Sequence, residues 1–203
     1  PVTAQLLAES ESLRDIAYST AKVGGGTGFF IGQFADRYVV ATNHHVCPSS
    51  ADCVGLEVLF PLLKISAEIT ELVGSWANID LALLVIDLKI GQFEKLNDYA
   101  STFAFDAQLT QEQELITVGF GIANNPNDEM MVNMDSDCKV FLASDEFKFM
   151  ADPDALNPAS YKSWSFANGC DISHGDSGSA MVDRQRGDIV GIIWTGKIPK
   201  SKL

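Results

Sequence analysis

The chain has 203 residues, 46% of them apolar and 20% charged, and a formal net charge of −13. That balance supports a sizeable core, as one domain or two small halves sharing an interface, and excludes a disordered chain. The acidity, with a pI near 4.4, excludes a binder of nucleic acid, which needs clustered Lys and Arg. The longest apolar run, LALLVI at 81–86, is far below the ~20 residues of a bilayer crossing.

In chain order, Leu6, Leu7, Leu13 and Ile16 fall near helical spacing and predict a short N-terminal helical lead-in. No basic segment followed by an apolar one opens the chain, so an exported protein would already have lost its signal. After Gly24–Gly26 the pattern turns β-rich. Thr27–Ile31 and Tyr38–Thr42, separated by a turn at Phe34–Arg37, predict a hairpin. Further strands are expected at Val54–Phe60, Ile65–Val73 and Leu81–Ile86. Residues 87–113 read as a polar, irregular crossover. Strand signals resume at Leu115–Phe120, Lys139–Ala143, Ser163–Phe166, Ser179–Val182 and Asp188–Trp194. Short strands with turn residues between them predict an all-β barrel or sandwich.

Four cysteines, Cys47, Cys53, Cys138 and Cys170, permit three pairings. Cys47 and Cys53 flank a Pro-Ser-Ser turn suited to a short bridge, which leaves Cys138 for Cys170; free buried thiols are the alternative. Two bridges place the protein in an oxidising compartment, secreted or periplasmic. No cysteine pair has C-x-x-C spacing and only three histidines are present, so neither a metal nor a cofactor is expected. The acidic loops 125–129 and 152–154 lack the spacing of a calcium loop and read as solubilising.

The stretch CDISHGDSGSAMV, 170–182, flanks Ser177 with glycines. A serine nucleophile needs a base within reach, and that base needs a carboxylate on its other ring nitrogen. His174 lies too near Ser177 in the chain to reach back to it. His44 and His45 end a strand, where neighbouring side chains point to opposite faces, so only one faces a cleft. Asp80 stands at the mouth of an apolar strand, where a carboxylate needs a donor.

At these residues the chain resembles the trypsin-like serine proteases, in the bacterial branch with glutamyl endopeptidases and high-temperature-requirement proteases. The resemblance rests on GGGTGFFIG (24–32), TNHHV (42–46), NIDLALL (78–84), GCDISHGDSGSAMV (169–182) and GDIVGIIWTG (187–196). It implies two six-stranded antiparallel barrels forming one protease domain. The first, residues 1–95, would carry His45 and Asp80, and the second, residues 96–203, would carry Ser177. His45 would be the base, Asp80 its orienting acid and Ser177 the nucleophile. The amides of Gly175 and Ser177 would stabilise the oxyanion. Asp176 is expected to bond locally within its loop.

For specificity, Asp171 counts to the place where an aspartate selects Lys or Arg. Ile193, Trp194 and Gly196 would line the cleft. Ile193 stands where glutamyl endopeptidases carry a histidine, and an aliphatic side chain leaves a substrate carboxylate unpaired, so glutamate specificity is disfavoured. A preference for Lys or Arg leads, with small or aliphatic residues next. Only KIPKSKL follows Gly196, so the last strand of the second barrel is expected to be missing or replaced by another closure. The terminal Ser-Lys-Leu is read as a chance match to a peroxisomal address. The expected function is an exported serine endopeptidase acting on proteins or peptides, with protein inhibitors as further partners. The alternatives are an inactive protease-like binding or adhesion protein, and an esterase with a G-x-S-x-G elbow, whose order of triad residues differs from this one.

Overall fold

The computed structural model describes residues 1–100, 108–141, 147–152 and 161–196. Two helices, α1 (Ala4–Glu9) and α2 (Glu11–Ser19), open the chain, capped by the hydroxyls of Thr3 and Ser10. Six antiparallel strands follow: β1 (Thr20–Val23), β2 (Gly26–Phe34), β3 (Arg37–Thr42), β4 (Glu57–Phe60), β5 (Ile65–Trp76) and β6 (Leu81–Ile86). They close into a barrel in the order β1-β2-β3-β6-β5-β4. The last seam pairs Lys22 with Leu59 and Val23 with Val58. Along the first half of β5 buried and exposed residues alternate strictly, the period of a half-covered strand. Irregularities at Ile69/Glu71 and Leu72/Gly74 bend this long strand around the barrel. β6 is apolar throughout because both its faces are covered. Ala82, Leu84 and Ile86 enter the barrel core with Phe30, Val40, Phe60 and Ile69. Leu81 and Leu83 pack against the second half.

The second half contributes β7 (Leu115–Gly119), β8 (Met131–Asn133), β9 (Lys148–Met150), β10 (Ser163–Ser165), β11 (Ala180–Asp183) and β12 (Ile189–Ile192). They form a four-stranded sheet, β12-β11-β7-β8, and a separate pair, β10-β9. The described residues therefore contain one closed barrel and an open second half. β8, β9 and β10 span three residues each, and residues 142–146 and 153–160, near β9 and β10, lie outside the described residues. The tail 197–203, on which the missing-strand expectation falls, also lies outside them. The expected strand at Lys139–Ala143 is reduced to isolated bridges at Lys139 and Val140, with residues 142–146 not described.

The helical lead-in has a place in the core that periodicity alone could not show. Leu13, Ile16 and Ala17 of α2 are buried with Phe29 and Ala41 of the barrel and with Ile116, Val118, Ala180, Val182 and Ile189 of the second half. One helix thus seals the seam between the halves. The architecture is mostly β, with two more helices at α3 (Ser50–Cys53) and α4 (Ile90–Asn97); α4 falls within the segment expected to be irregular. Among the described residues no helix is long and apolar enough to cross a membrane, and no cluster of metal-binding side chains occurs.

Both expected bridges are formed, Cys47–Cys53 and Cys138–Cys170. The second closes a 32-residue separation, worth about 3–4 kcal/mol through the entropy removed from the unfolded chain.

Candidate active site

β3 ends at Thr42, and the chain turns as the Cys47 amide donates to the Asn43 carbonyl at 3.1 Å. His44 and His45 sit on this turn rather than on the strand, yet they still face different partners. His44 Nδ1 lies 2.7 Å from Ser75 Oγ, and that hydroxyl donates to the Cys47 carbonyl at 2.8 Å. His45 Nδ1 lies 2.7 Å from Asp80 Oδ2, and the His45 amide donates to Asp80 Oδ1 at 3.0 Å. The Asp80 side chain is fully buried, whereas that of His45 is 34% exposed.

Asp80 is presented by a single turn of 3₁₀ helix, Ala77–Ile79, and takes a left-handed conformation at φ 45°. Asp tolerates that region better than most residues. The Asn43 side-chain amide fixes the Asp80 carbonyl at 2.8 Å. The Tyr161 hydroxyl faces Asp80 Oδ1 at 3.5 Å. Burial first, and then the negative charge of Asp80, push the Tyr161 phenol well above its ordinary value.

The loop before β11 approaches the barrel through its backbone. Thr27 N donates to the Ser177 carbonyl at 2.7 Å, and Thr27 Oγ1 donates to the Gly175 carbonyl at 2.7 Å. A Cβ at Gly26 would lie 2.8 Å from both the Ser177 oxygen and a Val46 methyl, which sets the Ser177 backbone beside the residue after His45. Among the described residues the Ser177 hydroxyl makes no hydrogen bond, to His45 or to any other group.

Within the loop, the amides of Asp176, Gly178 and Ser179 donate to Ser173 O, Ile193 O and Asp176 O at 3.0, 2.9 and 2.9 Å. Among the described residues, those of Gly175 and Ser177 donate to nothing. Gly175 has φ +99° and Gly178 φ +91°, a region glycine enters without strain. A Cβ at Gly178 would lie 1.9 Å from the Thr27 carbonyl oxygen. Gly178→Ala is therefore expected to destabilise the fold by roughly 3–5 kcal/mol, backbone strain and overpacking acting together. The midpoint of denaturant unfolding reads that loss.

Asp176 bonds within its loop to Ser173, as expected, and also outside it to Gly121, which the sequence did not suggest. Its carboxylate accepts from Gly121 N at 2.9 Å and Ser173 N at 2.8 Å. Burial nevertheless raises its pKa above the ordinary 3.8, with those donors pulling the other way. A carboxyl with a raised folded pKa holds its proton more tightly in the folded state. Its contribution is complete below the unfolded value and lost as pH rises through the folded one. Wild-type stability relative to Asp176→Asn should therefore fall as pH rises out of the acid range. Denaturation midpoints of both proteins across pH measure this, and a pH-independent difference would contradict it.

Around the cleft strand, Trp194 Nε1 donates to Ser165 Oγ at 2.8 Å, and Thr195 Oγ1 donates to Asp152 Oδ1 at 2.6 Å. Ile193 is 3% exposed and belongs to a buried cluster with Leu115, Cys138, Cys170 and Met181. A Cβ at Gly196 would lie 2.8 Å from the Ile172 side chain, so the segment after β12 rests on the residue after Asp171. Asp171 itself is exposed, and its carbonyl accepts from Asn133 Nδ2 at 3.3 Å. His174 is exposed as well. Sequence reasoning missed Thr27, Asn43 and Tyr161. Thr27 lies in the quoted GTG stretch and Asn43 in TNHHV, so both were visible without a role; nothing marks Tyr161.

Residues 26–192 match the family description "Trypsin-like peptidase domain". A search of curated proteins found no significant match. Among solved structures, the fold is similar to the active form of the Rv3671c protease from M. tuberculosis, with a TM-score of 0.65 at 17% identity over 95% of this chain and 76% of that one. It is similar to the HtrA-type protease AlgW with a decapeptide, with a TM-score of 0.58 at 22% identity over 87% of this chain and 44% of that one. A serine endoprotease from Yersinia pestis gives a TM-score of 0.59 at 18% identity over 95% and 57%. The chain spans about half the length of the last two.

Proposed function

Because the chain belongs to the trypsin-like peptidase family, we propose that it is an exported serine endopeptidase working through His45, Asp80 and Ser177. The observation that carries this reading is the 2.7 Å contact of His45 Nδ1 with a fully buried Asp80. A buried carboxylate in that contact keeps the Nδ1–H tautomer and leaves Nε2 free to take a proton. Ser177 Oγ would attack the peptide carbonyl, its proton passing to His45 Nε2. The developing oxyanion would accept from the unpaired Gly175 and Ser177 amides, each worth about 3–4 kcal/mol in the transition state. His45 then returns the proton to the leaving amine. Water repeats the sequence on the acyl-enzyme.

In this reading residues 1–95 supply base and acid, and residues 96–203, the second six-stranded barrel, supply the nucleophile. The two bridges support export to an oxidising compartment. Substrates are proteins or peptides, and protein inhibitors would occupy the same cleft.

Two observations bear on the preferred residue before the cut bond. Asp171, exposed beside the serine loop, favours Lys or Arg. Ile172 against Gly196 favours small or aliphatic residues. Sequencing the new termini released from a peptide library tests the activity itself, and absence of internal cleavage would end the proposal. Run with Asp171→Ala, the same library is expected to show Lys and Arg sites falling ten-fold or more relative to aliphatic ones, roughly the worth of one ion pair at a binding site. An unchanged profile would assign the pocket to small or aliphatic residues.

A further inference from the structure

Asp80 is fully buried, and its carboxylate meets three donors: the His45 amide, His45 Nδ1 and the Tyr161 hydroxyl. Two of these belong to the residue that Asp80 must orient. Among the described residues only Tyr161 is independent of His45, and it reaches Asp80 from the other half of the molecule. We propose that Tyr161 is a positioning residue, fixing the Asp80 carboxylate so that it aligns His45. The inference rests on the triad reading above and extends it.

Three features hold the tyrosine in place. Its ring stands edge-on to His44, with centroids 5.2 Å apart at 89°. His44 is itself held by Ser75. Two residues along the chain, Ser163 Oγ donates to the Ala77 carbonyl at 2.7 Å, tying β10 to the turn that carries Asp80. Among the described residues that follow β12 no hydroxyl is offered instead: Ile193 is aliphatic, and the Thr195 hydroxyl donates to Asp152. The ionisable groups around this contact are His45 and His44 on the turn after β3, and Asp152, whose charge acts on Tyr161. Burial and the Asp80 charge keep the phenol protonated, so it remains a donor throughout the range in which a histidine base works.

Tyr161→Phe keeps the ring against His44 and removes only the donor. It is expected to lower kcat about ten-fold, the scale of a hydrogen bond to a charged group, with KM within two-fold of wild type. A carboxylate with one donor fewer holds an imidazolium more tightly. The acid limb of the kcat/KM profile should therefore move to higher pH, by about half a unit. NMR titration of the His45 ring in a Ser177→Ala background, with and without Tyr161→Phe, should show the same shift without turnover. Wild-type kcat with an unmoved acid limb would overturn the proposal. So would a loss of kcat that follows a loss of stability while His45 titrates unchanged, because packing alone would produce it. A wild-type protein that cleaves nothing would instead overturn the triad reading, and this inference with it.

Discussion

Replacing Ser177 with alanine is expected to lower kcat about 10⁶-fold, the scale seen when the nucleophile is removed from a triad that works as a unit. The change leaves the surroundings intact. The Ser177 carbonyl still accepts from Thr27, its amide is still unpaired, and the hydroxyl removed makes no hydrogen bond among the described residues. Stability should therefore stay within about 0.5 kcal/mol of wild type, as for a substitution that breaks no named feature. KM should change little. Single-turnover and steady-state hydrolysis of an unfolded protein substrate measure the effect; residual kcat above a hundredth of wild type would remove Ser177 from the chemistry.

Asp80→Asn is expected to cost about 10⁴-fold in kcat, for a reason visible in its contacts. Among the described residues every group meeting the carboxylate is a donor: the His45 amide, the His45 ring nitrogen and the Tyr161 hydroxyl. Asparagine offers one acceptor where two oxygens are used. If its NH₂ faces His45 Nδ1, the ring must accept there, which moves its proton to Nε2 and leaves it unable to take one from serine. If its oxygen faces the ring instead, its NH₂ meets the His45 amide, donor against donor, and the imidazolium loses its counter-charge. Steady-state kinetics with circular dichroism as a check on folding give the result. A loss under ten-fold would assign Asp80 to structure alone.

How much of this was legible in the sequence varies along the chain. The first barrel was largely readable. Ile65–Val73 alternates, 81–86 is long and apolar, and the turn predicted at Phe34–Arg37 contains the Ala35–Asp36 link between β2 and β3. β1, with the polar Thr20 and Lys22 in four residues, is too short for a periodic signal and was absorbed into the lead-in. α4 was hidden in a polar stretch because only Leu96 is buried among its residues. In the second half β7, β10, β11 and β12 fall on expected strands, whereas β8 and β9 were missed, since three-residue strands carry little pattern and depend on partners distant in sequence.

The site shows the same division. Glycines beside a serine, and a carboxylate before an apolar strand, are local signals; the carboxylate they marked meets His45, and the serine loop meets the barrel through Thr27. The strand-alternation argument said only that His44 and His45 diverge; both lie on a turn rather than a strand, and they meet different partners there, Ser75 and Asp80. Tyr161 gave no local signal. Its relation to Asp80 exists only once β10 docks on the 3₁₀ turn.

The central claim is that base, acid and serine act together on one reacting carbon. A reactive phosphonate, with the adduct located by mass spectrometry, tests it most directly. One equivalent should attach to Ser177, and labelling should collapse in His45→Ala while that variant remains folded. Label on another residue, or labelling of Ser177 at an undiminished rate without His45, would contradict the claim.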